Sequence, residues 1–542
     1  MQHVWRSPWW ATFVIFLFPL LVTYAYVDFV RESELNARLG WFVMLAGLTY
    51  LLRHTALQKV FLLVLLLMAL SGAFDMMYAI TFSGIFTSAS FQAMAHTDLG
   101  EGIEFLWAYA SIENIGLLAL YLGVSYVALR RIEFRPNRSK KEHFFAFLGV
   151  VLVIVALQQL HQRGRAFDTI PGFLGVGIDY ARNFEGFESQ IDARRTLYES
   201  TLFSAQKQSD EPQTYVVVIG ESMNRHHLQL YGYPRGTTPN LSERASQMHV
   251  FQDGVATFAQ TTPSLSVALT QADLTNGLHR SEAISLMGIA KKAGFKTWWI
   301  SNQQPMRVPT APMAGLADVS AFISHDYAGV QNRRYDGFML PYIKQALADP
   351  AAHKVIFVHL MGSHLQYSNR YPEDYPHAFE GVEGIQAYRP ANELSFIERD
   401  YINEYDTSIH YTDKVLGELL DQADKLKEPV AVSFFADHGE EIYDVRDFKG
   451  HAPDAVTHNM VDIPFLLWRN DAYRSTFAQT DKKLESMQNQ PFFLQDYFHF
   501  AQCFMNIDSS LLNFEKSMCE PARYTPSKRM VYGLDYDVKG LP

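Results

Sequence analysis

The run SFFADHGEE (433–441) ends an apolar, strand-like stretch abruptly in Asp437, His438, Gly439 and Glu440. Two strong metal-ligand types followed by a glycine suit a strand that delivers ligands, with the glycine expected to let the backbone turn sharply beside an ion. Other strand-like runs end similarly. TYVVVIG leads into Glu221 and Ser222, HKVIFVHL leads into His359 and His364, and FKGHAPDAVTH adds His451 and His458. Oxygen ligands and imidazoles brought to one edge suit a divalent metal, zinc first. Taken singly, Asp-His reads as a capping pair, Gly-Glu-Ser as a turn, and two histidines five apart as surface residues. Their joint appearance at successive strand ends favours the metal.

A nucleophile is offered by FAQTTPSLSVALT (258–270), where Thr261 or Thr262 stands before an apolar helical pattern. Free N–H groups at a helix amino terminus favour a developing anion. An unassisted threonine hydroxyl is a poor nucleophile at neutral pH, and a bound zinc remedies this as it does for water, whose pKa it lowers to about 7. Without the metal constellation, an ordinary threonine N-cap is the better reading.

The elements that must position these residues form a pattern. Continuous apolar, β-branched-rich runs at 214–220, 295–302, 353–360, 429–437 and 463–468 suit strands covered on both faces. Between them, Ser281 is expected to cap a helix carrying Ala283, Leu286, Met287 and Ala290 and ended by Gly294. Thr412 is expected to start another, with Val415, Leu416, Leu419 and Leu420 on its stripe. Strands alternating with helices predict a largely parallel α/β sheet, whose ligands bind beyond the carboxyl ends of its strands.

The chain has 542 residues, too many for one ordinary core, and a formal charge of −11, which disfavours sequence-independent nucleic-acid binding. Its 48 % hydrophobic content excludes a disordered scaffold. Apolar runs at 10–27, 39–52, 60–82, 105–129 and 144–160 predict five membrane spans, most reaching the roughly 17–25 residues a bilayer needs. Arg53, Lys59, Arg130, Arg131, Arg135, Arg138, Lys140 and Lys141 lie in the second-to-third and fourth-to-fifth loops, while 83–104 carries no Lys or Arg. Positive loops stay in the cytoplasm, so the amino terminus is expected inside and everything after residue 160 outside. The expected domains are a 1–160 transmembrane bundle, a 161–212 linker with a membrane-surface helix, and a 213–542 catalytic domain. Cys503 and Cys519, the only cysteines, both fall in the exported part. An oxidising compartment favours a disulfide between them, worth roughly 3 kcal/mol on the chain-entropy model.

VVVIGES, YGYPRGTTPNL, TTPSLSVALT, HLMGSHLQYSNRYP, YDTSIHYTD and ADHGEE, in this order, resemble the membrane-bound phosphoethanolamine transferases of Gram-negative bacteria. That family includes the enzymes modifying lipid A and the lipopolysaccharide core and the mobile colistin resistance proteins, within the alkaline phosphatase/sulfatase superfamily. The resemblance covers essentially the whole chain. It implies a five-helix transmembrane bundle followed by a periplasmic sulfatase-like α/β/α sandwich, in a multi-pass protein of the bacterial inner membrane.

Carried over by motif, the resemblance implies one tightly bound zinc on Glu221, Asp437, His438 and the nucleophilic Thr261, with room for a weaker second ion. Thr261 stands first in TTPS, as the cysteine does in the Cys-x-Pro-Ser motif of sulfatases, and Thr262 is the alternative. His364 and His451 match substrate-side histidines of the family. Arg307 stands where the family places a basic residue for the phosphate, Glu440 follows the ligand pair, and Glu101 corresponds to a residue near the donor lipid. The implied reaction moves phosphoethanolamine from phosphatidylethanolamine to lipopolysaccharide through a modified threonine. YGYPRGTTPNL, HLMGSH and the low cysteine count are closer to the core-modifying branch, which favours a core sugar over lipid A. Glycerol-phosphate transfer to an envelope glycan is the rival within the superfamily, and a non-catalytic membrane sensor the rival outside it.

Overall fold

The computed structural model describes residues 202–279, 282–303, 311–323, 335–453, 455–539 and 541, together with 13–26, 57–82, 99–130 and short pieces elsewhere before residue 200. The chain divides into two compact units. Met1–Ala95 and Leu106–Phe184 make one, and His96–Phe105 joins Glu185–Pro542 in the other.

In the first unit, two helices among the described residues are long and apolar enough to cross a membrane, Leu62–Phe82 and Ile112–Arg130. Much of the expected spans at 39–52 and 144–160 lies outside the described residues. The span expected over 105–129 is broken. Helix Leu99–Tyr109 stops, and Ile112–Arg130 starts afresh because the Ser111 hydroxyl accepts the Asn114 N–H at 3.0 Å, an N-cap that the apolar composition conceals. Asp75, buried in helix Gln58–Phe82, accepts the Phe173 N–H at 3.0 Å, so this acidic side chain is satisfied by backbone.

The second unit is built on a seven-stranded sheet. Its strands are β1 (Gln213–Gly220), β2 (Met248–Phe251), β3 (Lys296–Ser301), β4 (Val319–Phe322), β5 (His353–His359), β6 (Val430–Ala436) and β7 (Phe465–Arg469), in the order β2-β7-β6-β1-β5-β3-β4. From β6 to β4 all neighbours are parallel, while β7 runs antiparallel to both β6 and β2. Every residue of β1 and β6 is buried, as expected for central strands covered on both faces. Register places the chemistry. Gly220 pairs with Ala436, so Glu221 and Asp437, one residue further on, leave the sheet side by side. Ile219 pairs with His359 on the other side of β1, which starts the loop carrying His364 next to them.

Several expectations are corrected. Helix Leu286–Lys292 is capped by Ser285, whose hydroxyl accepts the Gly288 N–H at 3.2 Å, rather than by Ser281. Gly294 does end it, at φ +87°. Thr412 lies inside helix Phe396–Ala423, which begins sixteen residues earlier at Phe396, behind Ser395 as N-cap with a reciprocal Ser395–Glu398 capping box. Within the stretch expected as linker, strand Ala205–Lys207 pairs with Ile507–Ser509. The disulfide expected between Cys503 and Cys519 is present.

Candidate metal centre and nucleophile

Glu221, Asp437 and His438 are fully buried, and one donor atom from each lies within 4.8 Å of the others. Ser222 takes a left-handed φ of +54°, uncommon for a non-glycine residue. Its N–H then donates to Asp437 Oδ1 at 3.2 Å and its hydroxyl to Glu221 Oε1 at 2.9 Å. Gln303, two residues beyond β3, donates to Glu221 Oε2 at 3.1 Å. His438 Nδ1 lies 2.8 Å from the Gly439 carbonyl, which can only accept, so the proton sits on Nδ1 and Nε2 faces inward. That Nε2 is 3.3 Å from Glu221 Oε1 and 3.7 Å from Asp437 Oδ2.

These residues fit a divalent cation. Asp437 Oδ2 is buried without a hydrogen-bond partner. Burial opposes the charge on Glu221, but the His438 hydrogen bond and charge hold its carboxyl well below the usual range. Burial, then the Glu221 charge, push Asp437 well above its own. Burial would lower His438, yet Asp437 and Glu221 raise it to about 10. Two buried carboxylates beside one imidazole concentrate negative charge that a bound cation would offset. His438, Glu440 and His451 form a second, overlapping cluster of metal-ligand types.

Thr261 begins helix Thr261–Ala268, after an extended Gln260. Its hydroxyl donates to Glu221 Oε2 at 3.1 Å and lies 3.5 Å from His438 Nε2. Ser264 of the same helix donates to the Asp437 carbonyl at 2.6 Å, tying the start of this helix to the end of β6. Thr261 thus brings its oxygen to the carboxylate–imidazole cluster, at a helix end that favours negative charge.

Gly439 serves close packing rather than the sharp turn expected from sequence. Its φ is not positive, but a Cβ there would stand 2.1 Å from the Asn459 carbonyl oxygen. Gly362 meets both demands, with φ +52° and a Cβ position 2.6 Å from the Glu221 carbonyl oxygen.

His451 has its ring centroid 4.3 Å from that of His438. Its Nδ1 lies 2.7 Å from Glu440 Oε2, and Tyr367 donates to Glu440 Oε1 at 2.9 Å. His364 sits close enough for its charge to lower Glu221. His359 and His458 do not join the cluster. His359 is buried against Trp299, and burial lowers its pKa to about 4. His458 Nε2 accepts the Leu541 N–H at 3.1 Å. Arg307 lies outside the described residues; Glu101 is in helix Leu99–Tyr109, with its side chain also outside them. Sequence reasoning missed Gln303 and Tyr367. The position of Gln303 just past a strand end was its one available signal.

A mixed sheet with buried carboxylates, an imidazole and a helix-borne hydroxyl at its carboxyl edge defines the alkaline phosphatase/sulfatase class, and the Sulfatase family matches residues 213–499. Phosphoethanolamine transferase EptC of Escherichia coli O18:K1:H7 is 30 % identical over 424 residues, covering 74 % of this chain and 72 % of that protein. The C-terminal periplasmic domain of EcEptC from Escherichia coli, crystallised in complex with Zn, is 30 % identical with a TM-score of 0.56, over 62 % of this chain and 94 % of that one. The integral membrane lipooligosaccharide phosphoethanolamine transferase A of Neisseria meningitidis shares the fold at a TM-score of 0.69 and 18 % identity, over 94 % of this chain and 97 % of that one. The chain belongs to the phosphoethanolamine transferase family of the alkaline phosphatase/sulfatase superfamily.

Proposed function

We propose that the protein transfers phosphoethanolamine from phosphatidylethanolamine to lipopolysaccharide, with its catalytic unit on the periplasmic side of the bacterial inner membrane. The observation that carries this reading is the Thr261 hydroxyl 3.1 Å from Glu221 and 3.5 Å from His438, at the amino end of a helix. A zinc ion held by Glu221, Asp437 and His438 beside the Thr261 hydroxyl would supply Lewis acidity and lower the pKa of that hydroxyl. The Zn complex of the EcEptC domain supports this choice of metal.

The Thr261 Oγ–H proton is released to solvent before turnover, so that Oγ begins and ends each cycle deprotonated; in the first step an Oγ–P bond forms and the P–O bond to diacylglycerol breaks. The departing oxygen takes up a proton. His451 is suited to carry it, because Glu440 holds Nδ1–H and leaves Nε2 for proton transfer. His364 steadies the phosphoryl oxygens from the loop after β5. In the second step an acceptor oxygen attacks the same phosphorus, gives up its proton to His451, and the Oγ–P bond breaks. Arg307 and Glu101 are assigned to the donor's phosphate and its approach. Glu440, fully buried, orients His451 in this scheme instead of contacting substrate. A membrane attachment suits the reaction, since both substrates are lipids and confinement raises their effective concentration.

The favoured acceptor is a core sugar or sugar phosphate of lipopolysaccharide. Mild acid separates lipid A from core oligosaccharide, and each fraction from a deletion strain and its parent can be weighed. Loss of one phosphoethanolamine mass from the core fraction is expected. Loss only from the lipid A fraction would reassign the acceptor, and no change in either would overturn transfer to lipopolysaccharide.

A further inference from the structure

The loop after β5 carries His364 and is fixed at both ends. At its start, the Asp336 carboxylate accepts the N–H groups of Met361 and Gly362, each at 2.8 Å, and the Ser363 N–H donates to the Glu221 carbonyl at 3.0 Å. Beyond His364 the anchoring comes from far away in sequence. Gln366 takes a left-handed φ of +64°, a strained choice for a residue with a side chain. That side chain donates to the Glu104 carbonyl at 3.1 Å. Asn369 donates to Glu104 Oε1 at 2.8 Å, and Arg370 pairs with Glu104 Oε2. Three side chains of the loop therefore converge on one glutamate.

Arg370 links that glutamate to the histidine. Its Nε donates to the His364 carbonyl at 3.0 Å and its Nη2 to the Leu365 carbonyl at 2.8 Å. Arg370 is 2 % exposed and Glu104 8 %, so the pair is held where water competes little. Glu104 belongs to His96–Phe105, a segment that sequence places among the helices of the first unit but that packs as part of the catalytic one. Nothing in the reaction chemistry calls for a buried ion pair at this place, whereas the backbone of a catalytic loop does call for fixing.

We infer that Glu104 is a positioning residue for the transfer reaction: through Arg370 it holds the backbone of His364, so that His96–Phe105 completes the active site of the catalytic unit. This inference rests on the part given to His364 above. Glu104 does not touch substrate; it acts through the loop. Glu104→Gln keeps an acceptor for Asn369 and the carbonyl for Gln366, while Glu104→Ala keeps only the carbonyl.

The test is a double-mutant cycle on the full-length protein in detergent, with phosphatidylethanolamine and lipopolysaccharide as substrates. Bound zinc and thermal midpoint are measured for each variant. Glu104→Ala is expected to lower kcat roughly 10- to 100-fold with zinc content unchanged, and Glu104→Gln to recover much of that loss. In a His364→Ala background Glu104→Ala should add little, because both changes disable one group. Should Glu104→Ala fail to fold, Arg370→Lys keeps a positive charge for Glu104 but removes the fork that also reaches the His364 and Leu365 carbonyls; it should lower kcat several-fold with zinc retained, and full activity there would overturn the inference. Additive losses in the cycle, loss of zinc in step with activity, or full activity of Glu104→Ala beside an inactive His364→Ala would overturn the inference alone. Full activity of His364→Ala would overturn the part assigned to that histidine and this inference with it.

Discussion

His451 Nδ1 lies 2.7 Å from Oε2 of Glu440, a carboxylate with no exposed surface whose other oxygen accepts the Tyr367 hydroxyl. This arrangement fixes the imidazole and leaves Nε2 for proton transfer. His451→Ala should lower kcat by roughly 10²- to 10⁴-fold, the range for a positioned acid–base group. Glu440→Gln should cost less, roughly 10- to 100-fold, since the histidine remains but is less well oriented. Steady-state kinetics with zinc analysis checks this. A Glu440→Gln protein more impaired than His451→Ala would contradict the orienting role.

Asp437 supplies a buried, unpartnered Oδ2 to the candidate metal site, and its other oxygen accepts the backbone N–H groups of Ser222 and His438. Asp437→Ala is expected to lose both bound zinc and transfer, whereas His364→Ala should lose transfer with zinc retained. Metal analysis of the purified variants decides the matter. Stoichiometric zinc in Asp437→Ala would remove that residue from the ligand set.

Gly439 packs where a methyl group would collide with the Asn459 carbonyl oxygen, a backbone atom. Gly439→Ala should therefore push the 458–460 turn away from the end of β6. Overpacking of this kind costs roughly 1–3 kcal/mol, and the displaced neighbours include His438. A lower thermal midpoint and weaker zinc retention are expected together. An unchanged midpoint would show that the turn yields without cost.

The edge strands and part of the second unit's longest described helix show where sequence reading stopped. β1 and β6 were legible because burial on both faces leaves continuous apolar runs. β2 and β4, four residues each at the two edges of the sheet, carry too short a pattern. The first half of helix Phe396–Ala423 escaped for another reason. Its buried face there includes Tyr405, Asp406 and Ser408, hydrogen-bonded to other segments, so no apolar stripe marks it. Glu221, Thr261, Asp437 and His438 were readable since each stands beside a strand or helix end. Glu104 was not, because its partner Arg370 lies 266 residues away.

His227 is buried between Asp406 at 2.7 Å and Asp444 at 2.9 Å, with Arg235 and the Tyr233 hydroxyl also on Asp406. Burial alone would lower its pKa, but the charges of Asp444 and Asp406 prevail and raise it from 6.5 to about 10. A raised histidine stabilises the fold fully below its unfolded pKa and loses that contribution as pH rises through the folded value. The window is therefore 6.5 to about 10. Asp444→Asn removes one of the two counter-charges and should destabilise by on the order of 3 kcal/mol near pH 6. The difference should close above pH 10. Thermal unfolding of both proteins across this range checks it, and a difference that does not change with pH would mean that His227 is buried neutral.

The central claim is that Thr261 becomes covalently modified. Full-length protein incubated with phosphatidylethanolamine, without acceptor, should gain one phosphoethanolamine on the peptide containing Thr261, and Thr261→Ala should gain none. Fragmentation mass spectrometry locates the added mass. Mass on Thr261 is the expected result. Mass on Thr262 would move the nucleophile by one residue, and an unmodified peptide from protein that still turns over would contradict the covalent mechanism.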